Sequence, residues 1–212
     1  MTPAPANSPI PATVTVVDDD AAVRKGLARL LRSAGHAVET FASANEFLER
    51  RVPGAAGCLV LDVNMPGLNG LQLQEAIAGN GGGLPIIFLT GRGDIPMSVQ
   101  AMKRGAVDFL TKPVNDETLL SAVDLALERD RLQRRTRAEV DGIRQRLAML
   151  TPREREVFHH VVAGRLNKQT AAELGIVEKT IKVHRARMME KMGVQSVAEL
   201  VHLAERAGLG GA

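Results

Sequence analysis

The sequence predicts two domains, an α/β domain with a doubly wound parallel sheet followed by a smaller all-α domain. Short β-rich runs alternate with helical patterns over the first 130 residues, and that alternation is typical of βαβ units. The charge also changes sign: residues 1–130 carry 11 Lys and Arg against 15 Asp and Glu, whereas residues 131–212 carry 16 against 9. The basic second part is therefore the one expected to meet nucleic acid.

Five strands, each followed by a helix, make up the first predicted domain. The strands are predicted over residues 14–17, 37–41, 58–61, 86–89 and 107–110, and the helices over 21–34, 45–51, 71–78 and 97–103 and from about residue 115. In such a sheet the functional site is expected at the carboxyl ends of the strands. Residues 1–12 contain four prolines and no charged side chain, which favours a disordered tail.

The predicted second domain spans residues 150–212 and is reached through a helical linker over 131–149. Residues 119–147 contain no Pro and a single Gly, so the preceding helix is expected to continue, either as a short coiled coil between two chains or as a solvated spacer. Thr151, Pro152 and Glu154 predict a capped helix start. Three more helical patterns follow, and the short helix, turn and longer basic helix are typical of a helix-turn-helix.

Composition excludes several classes of function. Aromatic residues make up 2% of the chain, with no Trp and no Tyr, which argues against recognition of single strands by base stacking. Cys58 is the single cysteine, so an internal disulfide and a multi-cysteine zinc site are excluded; it is predicted to lie in the core. No apolar run of about 18 residues and no secretory signal are present, so we expect a cytoplasmic protein without a membrane span.

Charged and hydroxyl side chains follow four of the predicted strands. Asp18 and Asp19 follow the first, Asp62 closes the third, Thr90 the fourth, and Lys112 follows the fifth. Because the carboxyl ends of parallel strands lie on one edge, these side chains are expected to converge. Clustered carboxylates favour Mg²⁺ together with phosphate oxygens, and a carboxylate there can act as a nucleophile toward phosphorus. Lys112 and Thr90 can contact the phosphoryl oxygens.

Residues 13–130 resemble a response-regulator receiver domain of CheY-like or flavodoxin-like (βα)5 fold. The matching motifs are VVDDD, LVLDVNMPG, the TG pair at 90–91 and DFLTKP. The resemblance implies that Asp62 accepts a phosphoryl group, with Thr90 and Lys112 assisting. It also implies that Asp18, Asp19, Asp62 and the backbone carbonyl of Asn64 hold Mg²⁺.

The same resemblance carries two further expectations. Thr90 and Phe109 match the family's switch pair, in which the hydroxyl moves to the phosphate and the ring turns inward. The Lys112–Pro113 bond is usually cis in the family. From the residues themselves, Asp20 is expected to cap the first helix instead of binding metal.

Residues 150–207 resemble a LuxR-type helix-turn-helix. The matching stretches are LTPREREV, AGRLNKQTAAELGI and KTIKVHRARMMEKM. With GRGDIPMSVQAMKRGAVDF in the receiver, the chain resembles a two-component response regulator of the NarL/FixJ family, FixJ-type and nearest to the StyR/TodT branch.

The basic helix that begins near residue 178 is expected to read DNA. Lys182 can reach base edges, Val183 can contact a thymine methyl, and Ala186 leaves room for close approach. Phosphate contacts are expected from Lys179, Arg185 and Arg187 in this helix and from Asn167 and Lys168 at the start of the preceding one; Thr180 could contact a phosphate or a base.

An inner stripe of the same helix is expected to pack on the core. Ile181, Met188 and Met192 share it with His184, for which packing is favoured over DNA contact. Val177 stands where the family usually has a Ser or Thr cap, so this helix start is expected to lack a side-chain cap.

These observations favour a phosphorylation-dependent DNA-binding regulator of transcription in a two-component phosphorelay. The resemblance implies a sensor histidine kinase, double-stranded promoter DNA and RNA polymerase as partners, a homodimer on activation, and no enzyme activity beyond phosphorylation and dephosphorylation of Asp62. A phosphatase-like hydrolase and a constitutive DNA-binding protein are the alternatives. Dimerisation or unmasking of the DNA-binding domain, and activation or repression, stay open.

Overall fold

The computed structural model describes residues 12–78, 83–91 and 95–209. All but the last residue of the predicted tail, and residues 92–94 of the GRGDIP motif, lie outside the described residues. The chain separates into two compact units, Met1–Gln133 and Arg134–Ala212. The finer domain boundaries stay a prediction.

The first unit alternates strands and helices in the predicted order. Each predicted strand is present, with ends that differ by at most one residue. The elements are β1 (Thr13–Val17), α1 (Ala21–Ser33), β2 (Ala37–Phe41), α2 (Ala44–Arg50), β3 (Gly57–Asp62), α3 (Gly70–Ala78), β4 (Ile86–Thr90), α4 (Ile95–Lys103) and β5 (Asp108–Thr111). A long helix, α5 (Asp116–Ala148), begins in the first unit and ends in the second.

The described strands form one five-stranded parallel sheet in the order β2-β1-β3-β4-β5. Val17 at the end of β1 is paired with Phe41 of β2 on one side and with Leu61 of β3 on the other. The chain moves outward in opposite directions from β1 and β3, so a crevice opens between the carboxyl ends of these two strands.

The three central strands, β1, β3 and β4, are buried on both faces, which explains why they are mostly apolar, whereas the edge strand β2 is largely exposed. Successive side chains point to opposite faces: Leu59 and Leu61 pack with Phe88 in one core, whereas Cys58 and Val60 pack in the other. Parallel sheets covered by helices on both sides are typically built from such runs.

The start of β3 is a position that requires glycine. Gly57 has a φ of 147°, and a Cβ placed there would lie 1.9 Å from the carbonyl oxygen of Thr13, so any side chain would displace β1. The Gly57 N–H donates a buried hydrogen bond of 3.0 Å to Oδ2 of Asp130. This contact ties α5 to the amino-terminal edge of the sheet.

The second unit packs α6 (Pro152–Val162), α7 (Asn167–Leu174), α8 (Glu178–Met192) and α9 (Val197–Arg206) around one core. Phe158, Ile181 and Met188 are fully buried in it. Ile143, in the end of α5, is 2% exposed in the same core. Part of the segment that we predicted as a linker therefore packs with the second unit.

The structure contains the two helix caps that the sequence predicts. Asp20 accepts from the backbone N–H groups of Ala22 and Val23 and caps α1. Thr151 and Glu154 form the predicted capping box at the start of α6. Within the described ranges, none of the helices combines the length and the apolar composition needed to cross a bilayer.

Candidate functional site

The acidic site lies at the crevice between β1 and β3. Asp18 directly follows β1, and Asp62 is the last residue of β3. Both side chains are buried, with residue exposures of 1% and 4%. The parallel pairing of β1 with β3 brings the two carboxylates to one edge, as their positions at strand ends predict.

Lys112 joins the two carboxylates. Its Nζ lies 2.6 Å from Oδ2 of Asp18 and 2.7 Å from Oδ1 of Asp62. Lys112 follows β5, and its peptide bond to Pro113 is cis, as the resemblance implies. The strand ends therefore bring the predicted acceptor, one predicted metal ligand and the predicted cation into direct contact.

Burial governs the protonation of this cluster. Loss of solvent raises the pKa of Asp62 above its usual value, although the hydrogen bond and charge of Lys112 lower it; the nearby Asp18 raises it further. Burial by itself would lower the pKa of Lys112, but its hydrogen bonds to Asp18 and Asp62 raise it above the ordinary value. Lys112 thus stays a cation at neutral pH.

The other predicted metal ligands lie at the open side of the crevice. Asp19 and Asn64 are exposed, and the backbone N–H of Asn64 donates to Oδ2 of Asp62 at 3.1 Å. Among the described residues, no three His, Cys, Asp or Glu side chains are close enough together to form a metal cluster. The structure therefore brings together two of the three predicted carboxylate ligands.

The predicted switch pair lies on β4 and β5. Thr90 ends β4 and is buried. Phe109 of β5 is half-buried and is paired in register with Phe88, and the two rings lie 6.0 Å apart and tilted by 41°. Thr90 and Phe109 thus occupy adjacent strands on the side of the crevice toward β5.

Sequence reasoning missed two residues of this site. Arg24, in the first turns of α1, donates from Nη1 to the backbone carbonyl of Asp18 at 2.6 Å. Gly70 begins α3 where an added Cβ would lie 2.6 Å from the carbonyl oxygen of Asp62. Arg24 lies six residues after Asp18, a short spacing from which its contact with Asp18 could have been predicted. The close approach of Gly70 to Asp62 has no signal in the sequence.

The candidate DNA-binding surface is one side of α8. The predicted inner stripe is confirmed for Ile181, Met188 and Met192, which are fully buried, while His184 is half-buried. On the remaining surface, the predicted contact residues that are exposed are Lys179, Lys182, Val183, Ala186 and Arg187.

Two of the predicted contact residues bind each other, and one binds an acidic neighbour. Arg185 is half-buried and donates from Nη1 to Oδ1 of Asn167 at 2.8 Å, which joins α8 to the start of α7. Lys182 Nζ lies 3.1 Å from Oε1 of Glu178, one turn earlier. The side chain of Arg185 is therefore held in place by Asn167 in the absence of DNA. The carboxylate of Glu178 competes with DNA for the positive charge of Lys182.

The start of α8 lacks a side-chain cap, as the sequence predicts. Val177 occupies the cap position, is 68% exposed and makes no side-chain hydrogen bond to the helix. Thr180 is half-buried in the first turn, and Lys168, in the first turn of α7, is exposed. Helix starts with unpaired N–H groups favour bound anions such as phosphate.

Two family models match the chain in agreement with this division. The response regulator receiver domain matches residues 14–124, and the luxR family of bacterial regulatory proteins matches residues 148–204. The first contains the acidic crevice, and the second contains α6 to α8 and most of α9.

The chain is also similar over most of its length to known proteins. Nodulation protein W of Bradyrhizobium diazoefficiens is 48% identical, over 93% of this chain and 87% of its own length. The response regulator protein TodT of Pseudomonas putida is 47% identical, over 91% and 85%. The solved structure of the response regulator StyR is 50% identical, covers 92% of this chain and 99% of its own, and superposes with a TM-score of 0.83.

The matches to these relatives extend over both parts of the chain, and the StyR structure superposes on 92% of it. The chain belongs to the two-component response regulators of FixJ type, which join a receiver domain to a LuxR-type helix-turn-helix and regulate transcription.

Proposed function

We propose that phosphorylation of Asp62 controls DNA binding by α8. The observation that carries this proposal is the contact of Lys112 Nζ with Asp18 and Asp62, at 2.6 and 2.7 Å. One fixed cation beside two buried carboxylates is an arrangement suited to phosphoryl transfer, in which catalysis consists mainly of positioning and charge stabilisation.

In the proposed reaction, an Asp62 carboxylate oxygen attacks the phosphorus of a phosphohistidine on the sensor kinase. The phosphorus–nitrogen bond breaks, and the imidazole leaves. Lys112 then exchanges its contact with Asp62 for a phosphoryl oxygen, and the Thr90 hydroxyl donates to another. Hydrolysis of the aspartyl phosphate returns the site to its first state, so turnover is confined to the chain's own Asp62.

The residues present fit a bound Mg²⁺. Two buried carboxylates, those of Asp18 and Asp62, face the single positive charge of Lys112, so the pocket can accept further positive charge. Asp18, Asp19, Asp62 and the backbone carbonyl of Asn64 would hold the ion, since carboxylate and carbonyl oxygens are ligands that Mg²⁺ prefers. When bound, the ion shields the phosphate charge from the carboxylates.

The output of the switch is proposed to run through Thr90 and Phe109. Movement of the Thr90 hydroxyl toward the phosphoryl group would vacate space beside Phe109, whose ring is only half-buried. The altered surface of α4, β5 and α5 would then favour a homodimer, and phosphate can shift this equilibrium only by binding the active state more tightly.

The DNA-binding surface is proposed to act as a dimer on a two-fold promoter site. Lys182, Val183 and Ala186 would face the bases, because they lie on the exposed side of α8. Arg185, held by Asn167, would meet a phosphate. The bound dimer would then contact RNA polymerase, and the proposed site of action is the cytoplasm.

The proposed function is tested by sedimentation of the full chain with Mg²⁺, with and without beryllofluoride as a mimic of the phosphoryl group. A shift from monomer to dimer is expected for the native chain and for Glu49→Gln, a change at an exposed carboxylate of α2, but not for Asp62→Asn. Binding without a shift would favour unmasking of the DNA-binding domain over dimerisation. Absence of binding would contradict the assignment of Asp62.

A further inference from the structure

Charged side chains hold the last turn of α8 to α5 and α6. Arg146, near the end of α5, donates from Nη1 to the backbone carbonyl of Met192 at 2.7 Å. Lys191 Nζ donates to Oε2 of Glu154 at 2.6 Å. We call Arg146, Glu154 and Lys191 the α8 anchor.

The environment of Arg146 is built around this contact. The four last carbonyls of a helix have no partner within the helix, and a cation at that end is favourable. Gly193 ends α8 with a φ of 67°, and an added Cβ would lie 3.2 Å from Arg146 Nη1. The guanidinium therefore lies close to the backbone at the cap position, where the positive φ favours glycine.

The rest of the anchor also belongs to the core of the second unit. Glu154 is 3% exposed and caps α6 as well as pairing with Lys191. Ile143 of α5 is buried one turn before Arg146. Both the end of α5 and the start of α6 are thus fixed to the core, so the anchor holds α8 against a rigid support.

We propose that Arg146 is a positioning residue for sequence-specific DNA binding. By holding the Met192 carbonyl, it fixes the orientation of α8 and with it the directions in which Lys182 and Val183 face. Hydrogen bonds to base edges form only when the contacting side chains are placed to within a fraction of an ångström. Attraction to the phosphate backbone tolerates larger displacements. Loss of the contact should therefore reduce specificity more than general affinity for DNA. This inference rests on the proposed role of α8 as the recognition helix.

The test uses the full chain and two duplexes: one that the native chain selects from a random-sequence pool, and a scrambled duplex of the same composition. Arg146→Met removes the donor and one charge. Arg144→Met is the matched control, because Arg144 lies in the same helix, is exposed and pairs only locally with Asp141 in the described contacts. Arg146→Lys keeps a charged donor.

Arg146→Met is expected to weaken binding of the selected duplex about tenfold relative to Arg144→Met, the effect of losing one charge-assisted hydrogen bond. On the scrambled duplex the two variants should bind equally, since each lacks one positive charge. Because Arg146→Lys keeps a charged donor, its affinity for the selected duplex is expected to stay within about threefold of the native affinity. Equal binding of the selected duplex by Arg146→Met and Arg144→Met would overturn the inference.

Two further measurements separate a loss of folding, or a wrong assignment of α8, from a failure of the proposed role of Arg146. If circular dichroism shows that Arg146→Met loses helix, the comparison passes to Arg146→Gln against Arg144→Gln, which removes the charge but keeps a polar side chain, and equal affinity for the selected duplex overturns the inference. Lys182→Ala is measured alongside. If Lys182→Ala binds the selected duplex as tightly as the native chain does, the assignment of α8 as recognition helix is wrong. If Lys182→Ala binds the selected duplex weakly while Arg146→Met binds it normally, only the proposed role of Arg146 is wrong.

Discussion

The ammonium group of Lys112 lies 2.7 Å from Oδ1 of Asp62, and the same nitrogen also contacts Asp18 at 2.6 Å. The cation thus occupies the place beside the acceptor where a phosphoryl oxygen is proposed to bind. In the described state it partly offsets two buried negative charges; in the phosphorylated state it would offset the charge of the phosphate.

Removal of the Lys112 charge should therefore slow phosphorylation. For Lys112→Met we expect the rate of labelling by acetyl phosphate to fall about 100-fold, the effect of losing one positioned charge at a reacting group. The pKa of Asp62 would also rise further, because Lys112 lowers it. Lys25→Met, at an exposed position of α1, is the control and should label at the native rate. A native rate for Lys112→Met would exclude Lys112 from the reaction.

Replacement of the acceptor should abolish labelling altogether. Asp62→Ala is expected to take up no phosphate from radiolabelled acetyl phosphate in the presence of Mg²⁺, because Asp62 is the carboxylate that we propose to form the acyl phosphate. Asp124→Ala, at an exposed site of α5, should be labelled as the native chain is. Stoichiometric, acid-stable and hydroxylamine-sensitive label on Asp62→Ala would show that another carboxylate is the acceptor.

Specific DNA binding should depend on Lys182 more than general binding does. Lys182→Ala is expected to cost about 1–3 kcal/mol on the duplex selected by the native chain and much less on a scrambled one, since base contacts carry the specificity. Lys179→Ala, at a proposed phosphate contact, should weaken both duplexes alike. Titrations by fluorescence anisotropy at several salt concentrations measure both effects. Equal losses for Lys182→Ala on the two duplexes would make Lys182 a phosphate contact.

Acid should weaken the second unit through Glu154. Its hydrogen bonds with Lys191 and with the backbone of Thr151 lower its pKa from 4.5 to about 2. Because the folded pKa is the lower one, the stability from this pair is complete above about pH 4.5 and is lost as the pH falls toward about 2. Chemical unfolding at several pH values in this window should show a smaller acid-induced loss for Glu154→Gln than for the native chain. Glu205→Gln, at an exposed site of α9, should follow the native curve; the same curve for Glu154→Gln would contradict the assignment.

The buried contact between Asp130 and Gly57 should stabilise the receiver. Asp130→Ala would leave the Gly57 N–H without this acceptor, a loss of about 1–3 kcal/mol, whereas Asp124→Ala, at an exposed site, should change stability by less than about 0.5 kcal/mol. Cys58 provides the measurement, since burial raises its pKa to about 12 and a thiol reagent reaches it only on opening. The urea concentration at which the Cys58 thiol becomes modified should be lower for Asp130→Ala than for the native chain. Superimposable curves for Asp130→Ala and Asp124→Ala would show that the contact contributes little.

The sequence by itself determined the order of the elements and the residues of the acidic crevice. Asp18, Asp62 and Lys112 could be identified because each follows a strand, and parallel strands end at one edge of a sheet. The cap at Asp20 and the inner stripe through Ile181 and Met188 were equally accessible, because capping and helical periodicity are local properties.

Only the tertiary structure decided which distant groups bind each other. Asp130 contacts Gly57 across 73 residues of chain, and Arg146 contacts Met192 across 46. Such pairs depend on how far each helix is shifted and rotated against its neighbours, which is settled by packing of the whole core and leaves no periodic signal in the sequence. The close approach of α3 to Asp62 at Gly70 is decided in the same way. For this reason the grouping of Asp18, Asp62 and Lys112 in the crevice was predictable from the sequence, whereas the contacts that support α8 were not.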